Sequence, residues 1–202
     1  MIEKTLYLGK QNNPAVSKIS SFLDEQFKAI LLQEIQTGLK FDIQENSSRV
    51  DEQFDSLVWI QLASEKMYCR CRLYYRTDDA ITIYKESTQR EVQELSMAEA
   101  HLKEVMNLAL GKAKKLLDQE QLLISQLSIP LIVAREIDFQ FSQSYLFYQS
   151  HSVNIHSNSG QLLLIYDLEF IDDSGLDSMQ SLMSRSESSE AHEEDDGEVD
   201  FL

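Results

Sequence analysis

Glu104 and Asn107 stand three residues apart in the stretch EVMNLALGKAKKLL (residues 104–117), with Gly111 one turn further on. The carboxylate is an anion suited to a cationic target, and the amide offers both a donor and an acceptor. Neither Asn107 nor Gly111 serves a helix for its own sake. Asparagine is a mediocre helix former, and a mid-helix glycine costs about 1 kcal/mol against alanine. At about 100° per residue, with Glu104 set at 0°, Leu102, Met106, Ala109, Ala113 and Leu117 fall between roughly 140° and 220° and form the stripe to be buried. Asn107 falls at about −60°, Ala100 at about −40° and Gly111 at about −20°, all on the opposite face. The small residues at 100 and 111 leave both polar side chains open to a partner approaching from outside. The competing reading is an ordinary solvated helix face.

Other reactive residues make weaker constellations. His101 precedes Glu104 by three residues but has no second helical ligand in view, so half a metal site is all it offers. His151 and His156 are five apart on an expected strand and face opposite sides. Cys69 and Cys71 in YCRCR share one face of one strand, a poor geometry for a mutual disulfide, and structural zinc wants four ligands. There is no glycine-rich phosphate loop, Ser-His-Asp set or dinucleotide fingerprint. No cofactor or metal of the chain's own is expected.

The elements that position the pair follow from periodicity. Asn13 and Pro14 cap and open a first helix, in which Val16, Ile19, Phe22, Leu23, Phe27, Ile30, Leu31 and Ile35 recur at helical spacing until Gly38 stops it. LKFDIQEN alternates as a short strand. DSLVWIQLAS, MYCRCRLYYR and AITIYKE read as three strands of an antiparallel meander. Between Thr88 and Asp118 the period changes to that of a helix. Strand character returns in LSIPLIVAREIDFQF, SYLFYQSHSVNIH and QLLLIYDLEFI, with SNSG as the last hairpin turn. The expected fold is α+β, a largely antiparallel sheet packed with long helices.

Charge divides the 202-residue chain. Of its formal net charge of −16, about ten units lie in residues 172–202, which hold eleven acidic residues and one arginine. Residues 1–171 are read as the domain. Residues 172–202 are read as an acidic tail too polar to offset its ordering entropy, with GLDSMQSLM as a weak helix at its start. An acidic surface excludes nucleic acid as a partner. The N-terminus lacks a signal-peptide core, the apolar runs are too short for a bilayer, and the cysteines suggest a reducing compartment. The expectation is a cytoplasmic protein without a membrane partner.

Twenty-two residues separate Asn107 from Pro130, which opens the apolar stretch PLIVA. Glu-x-x-Asn, twenty-two residues and proline resembles the signature of the CheC/CheX family of chemotaxis phosphatases. The helix NLALGKAKKLL and the SIPLIVA strand are also similar, over roughly residues 14–171. One motif rather than two places the resemblance with the CheX branch. The resemblance implies hydrolysis of the aspartyl phosphate of a CheY-type receiver domain, with Mg²⁺ held by the receiver. Glu104 would pair with the receiver's active-site lysine and Asn107 would hold the attacking water. Pro130 would shape the neighbouring loop and strand, and the protein would be a homodimer. Ala100 stands where the family carries Asp or Ser. With the unusual tail, it favours the alternative: a catalytically weak or inactive binding module on the same fold, in chemotaxis or another two-component pathway.

Overall fold

The computed structural model describes residues 21, 23–40, 44–46, 54–118, 126–134, 147–157, 159–175, 177–181 and 184. A π-helical turn, Leu23–Phe27, leads into α1 (Lys28–Leu39); α2 spans Thr77–Thr88 and α3 spans Leu95–Leu117. The strands are β1 (Gln44–Asn46), β2 (Ser56–Ala63), β3 (Met67–Tyr75), β4 (Gln126–Leu127), β5 (Leu131–Ala134), β6 (Phe147–Ser157) and β7 (Gly160–Phe170). They form one antiparallel sheet in the order β1-β6-β7-β3-β2-β4, with β5 also paired to β2.

Strict alternation gives this sheet its helix-covered face. Val58, Ile60 and Leu62 on β2 align with Leu73, Cys71 and Cys69 on β3, and these with Leu164, Tyr166 and Leu168 on β7. All nine are buried, and Leu31, Ile35 and Leu39 of α1 and Ala80 and Ile83 of α2 close over them with the apolar stripe of α3. Both cysteines therefore point inward as free thiols, and burial pushes the Cys69 thiol up. The intervening arginines of YCRCR point to the other face. There Arg70 pairs with Glu169 at 2.5 Å, and Arg72 pairs with Asp167, which also accepts a 2.6 Å bond from Ser150. His151 stacks on Tyr166 at 5.0 Å, while His156 lies opposite Gln161, an odd number of residues along the same strand.

One expected strand is a helix. AITIYKE lies within α2, where Ala80, Ile83, Tyr84 and Ser87 are buried at i, i+3, i+4 and i+7. The start signal precedes it: Asp78 and Asp79 sit in the first turn, favoured by the helix dipole. Asp55 accepts the Thr77 N–H at 3.1 Å, so the cap comes from a residue 22 positions upstream. Local alternation of Ile81 and Ile83 misleads because it is too short to outweigh these contacts. The meander is thus a two-stranded hairpin, β2–β3, followed by a helix.

Two boundaries also move. The first helix runs past Gly38 to Leu39, and Lys40 takes the left-handed conformation at φ 56° with its N–H on the Gln36 carbonyl at 2.8 Å. Gly38 is instead a point of close approach, since a Cβ there would lie 2.7 Å from Val105 Cγ2 on α3. At the other end, the chain keeps packing beyond 171. Residues 173–175 and 177–181 are helical, Met179 is in the core, and Lys66 Nζ donates to Ser178 Oγ at 2.8 Å. Met179 carries the fold past the division drawn from composition. The Asn13–Pro14 helix start, the strand expected in REIDFQF and the acidic stretch beyond Ser184 lie outside the described residues.

Candidate functional site

The site is built on α3, and the helix is held on three sides. Leu102, Met106, Ala109, Ala113 and Leu117 are all buried, as the angular plot requires, and Ala98, Val105 and Leu110 widen the stripe. Fully burying one aliphatic side chain contributes about 1.5–3 kcal/mol, so this contact fixes the helix firmly on β2. Tyr75 on β3 donates to Glu99 at 3.4 Å, and burial, then the Glu99 carboxylate, raise its phenol well above the ordinary range, so the hydroxyl remains a donor. Val105 meets Gly38, and Lys112 pairs with Glu34, which ties α3 to α1. His101 Nε2 lies 2.9 Å from Ser87 Oγ and its ring meets Tyr84 edge-on, which ties α3 to α2. His101 is therefore a packing residue, and burial, then Lys40, lower its pKa from 6.5.

Glu104 and Ala100 are exposed, and Asn107 and Gly111 are half-buried on the same side of the helix. Neither Glu104 nor Asn107 has a side-chain hydrogen bond or ion-pair partner among the described residues. A Cβ added at Gly111 would meet nothing within 4 Å. The contacts to α1 and α2 leave from the flank carrying His101, Val105 and Lys112, at about 60° to 100° from Glu104. Asn107, at about −60°, lies on the other flank, toward the edge formed by β4 and β5, both of which α3 touches.

Pro130 sits in that edge. Trp59 pairs with Leu131 and Leu62 with Leu127, so Ile60 and Gln61 of β2 face three residues, Ser128, Ile129 and Pro130. This is a β-bulge, as suits a residue that has no N–H to give to a ladder. Ser128 repairs the interrupted ladder: its N–H donates to the Gln61 carbonyl at 2.8 Å and its hydroxyl accepts the Gln61 N–H at 2.9 Å. Pro130 therefore lies within the bulge, on the edge beside α3. The structure brings Glu104, Asn107, Ala100 and Gly111 onto one face, with Pro130 on the neighbouring edge. Ser128, exposed Ile129 and exposed Leu108 were not singled out from sequence. For Leu108 a signal existed, because a leucine at about 40° from Glu104 lies off the buried stripe.

Among the described residues, no helix is long and apolar enough to cross a membrane, and no group of three or more His, Cys, Asp or Glu side chains is placed to hold a metal ion. Neither a protein-family model nor a curated protein matches the sequence. The fold is nevertheless defined: an antiparallel sheet with helices, of the CheX/CheC chemotaxis type. It superposes on chemotaxis protein CheX from Vibrio vulnificus with a TM-score of 0.58 at 14% identity, covering 75% of this chain and 98% of that one. For a CheC-like superfamily protein from Shewanella sp. PV-4 the values are 0.57, 13%, 73% and 97%. For the CheX–CheY–BeF3–Mg²⁺ complex from Borrelia burgdorferi they are 0.52, 12%, 73% and 99%.

Proposed function

We propose that this protein is a CheX-like phosphatase that hydrolyses the aspartyl phosphate of a CheY-type receiver domain. The observation that carries the reading is the placement of Glu104 and Asn107 on the outward side of a firmly anchored helix, both without side-chain partners among the described residues, with the small residues Ala100 and Gly111 on the same face. A CheX from Borrelia burgdorferi that shares the fold is found with CheY, BeF3 and Mg²⁺, which supports the kind of partner.

In the reaction, water attacks phosphorus in line with the bond to the aspartyl oxygen. The new P–O bond forms as the old one breaks, giving inorganic phosphate and free aspartate. Mg²⁺, held by the receiver, neutralises phosphoryl charge, so positioning is what a partner protein has to supply. The Asn107 amide can accept from the water through its carbonyl and donate to a phosphoryl oxygen through its NH2. A carboxylate at this position would be repelled by the phosphoryl oxygens. Glu104, one turn away on the same face, pairs with the receiver's active-site lysine and sets the register of docking.

The test follows phosphate loss from a phosphorylated CheY-type receiver mixed with wild type, Glu104→Ala or Asn107→Ala. Asn107→Ala is expected to slow turnover by about a hundredfold or more, the scale on which misplacement of a reacting group acts. Equal rates for Asn107→Ala and wild type would falsify its assignment. Ala100 favours a second reading, a non-catalytic module. A wild-type protein that binds the receiver and leaves the phosphate in place would select it.

A further inference from the structure

Asn107 has a charge of each sign beside it. A helical side chain leans over the turn that precedes its own Cα, so Asn107 leans toward Lys103 and Glu104, its neighbours at i−4 and i−3. With Glu104 at 0°, Lys103 falls at about −100° and Asn107 at about −60°, on the same flank of α3. Lys103 is half-buried and has no ion-pair or hydrogen-bond partner among the described residues. That state needs a cause, because α3 supplies a carboxylate at the right spacing. Glu99 stands four residues before Lys103, an order and distance at which Glu and Lys ordinarily attract. Glu99 is instead engaged by the sheet, where it accepts from the hydroxyl of buried Tyr75 at 3.4 Å. Position 100, three residues before Lys103, is alanine and offers no charge. Lys112 and Lys114, by contrast, are paired with Glu34 and Asp118.

We propose that Lys103 is a third catalytic residue of this site, its ammonium group donating a hydrogen bond to a phosphoryl oxygen of the receiver's aspartyl phosphate; this rests on the reading of the chain as a receiver phosphatase. Two charges of opposite sign beside one amide suit two targets of opposite sign. Glu104 meets the receiver's lysine, and Lys103 meets the phosphoryl group that Asn107 addresses. In the transition state negative charge is spread over the equatorial oxygens, and a cation already in place stabilises it. No proton or covalent bond passes to the lysine, and the products remain inorganic phosphate and free aspartate. Tyr75 and Glu99 are positioning residues. The phenol holds the Glu99 carboxylate against β3, so Lys103 is left for the phosphate rather than neutralised by its own helix.

The test follows phosphate loss from a phosphorylated CheY-type receiver over a range of receiver concentrations, using the full chain. Lys103→Gln is expected to lower kcat about ten- to a hundredfold with little change in KM, and Lys103→Arg to recover most of the loss. Lys115→Gln removes the same charge from an exposed lysine of the same helix and should turn over like wild type. Tyr75→Phe frees Glu99 to pair with Lys103, so kcat should fall, and adding Glu99→Gln should restore it. In the Lys103→Gln background Tyr75→Phe should have no further effect on kcat, which a merely structural tyrosine would not show. A kcat for Lys103→Gln equal to wild type overturns the proposal, while loss of turnover in Asn107→Ala would leave the phosphatase reading standing. Equal losses in Lys103→Gln and Lys115→Gln also overturn it, because the effect is then one of net charge. Wild type that binds the receiver carrying BeF3⁻ and Mg²⁺ but releases no phosphate from the phosphorylated receiver removes both.

Discussion

At the scale of single residues, His101 separates proximity to the site from participation in it. It lies three residues before Glu104, yet its ring is turned to Ser87 and Tyr84 of α2. Burial, then Lys40, lower its folded pKa below 6.5. The unfolded chain therefore takes up this proton first on acidification, so the contribution of His101 to stability is fully present above pH 6.5. It is lost as pH falls through 6.5 toward the lower folded value. The thermal midpoint of wild type should drop more between pH 7.5 and 5.5 than that of His101→Gln, measured in matched buffers. Parallel drops in the two proteins would remove this role. The polar pair itself was legible before any fold was known, because residue type and angular position suffice to name a helix face. Ser128 was not legible, since its hydroxyl matters only once β2 has come alongside.

Among the elements, α3 was the most legible because its stripe, Leu102 to Leu117, repeats over about four turns. α2 was the least, because Ile81 and Ile83 alternate over a short stretch and its cap, Asp55, lies before two strands in the chain. Helix packing carries its own prediction. A methyl group at position 38 would lie 2.7 Å from Val105 Cγ2, and a β-branched side chain on a helix has little rotamer freedom with which to yield. Gly38→Ala should therefore destabilise the protein by about 1–3 kcal/mol despite the better helix propensity of alanine. Adding Val105→Ala should restore part of that loss in a double-mutant cycle by denaturant unfolding. Strictly additive effects would show that α1 and α3 are not pressed together at this point.

For the molecule as a whole, composition divided the chain at 171, and packing continues beyond it. Composition reports average polarity, and the stretch after Phe170 is polar enough to hide a single apolar anchor. Met179 is that anchor, and the Lys66–Ser178 bond fastens the same segment to the turn between β2 and β3. Truncation after Phe170 should lower stability, and Met179→Ala alone should cost about 2–5 kcal/mol. A chain ending at 170 that unfolds like wild type would return the boundary to 171.

The bulge at Ser128–Pro130 has a consequence for solubility. An outer strand with free N–H and C=O groups is a template on which other chains can add, and apolar side chains along it raise that hazard. Here Ile129 is 80% exposed and Leu131 48% exposed on such a strand. The pairing register on β2 shifts by one residue between Leu127 and Leu131, and Pro130 removes a donor at the break. Among the described residues the bulge divides this rim, so no unbroken ladder of backbone donors runs past Pro130 for another chain to add to.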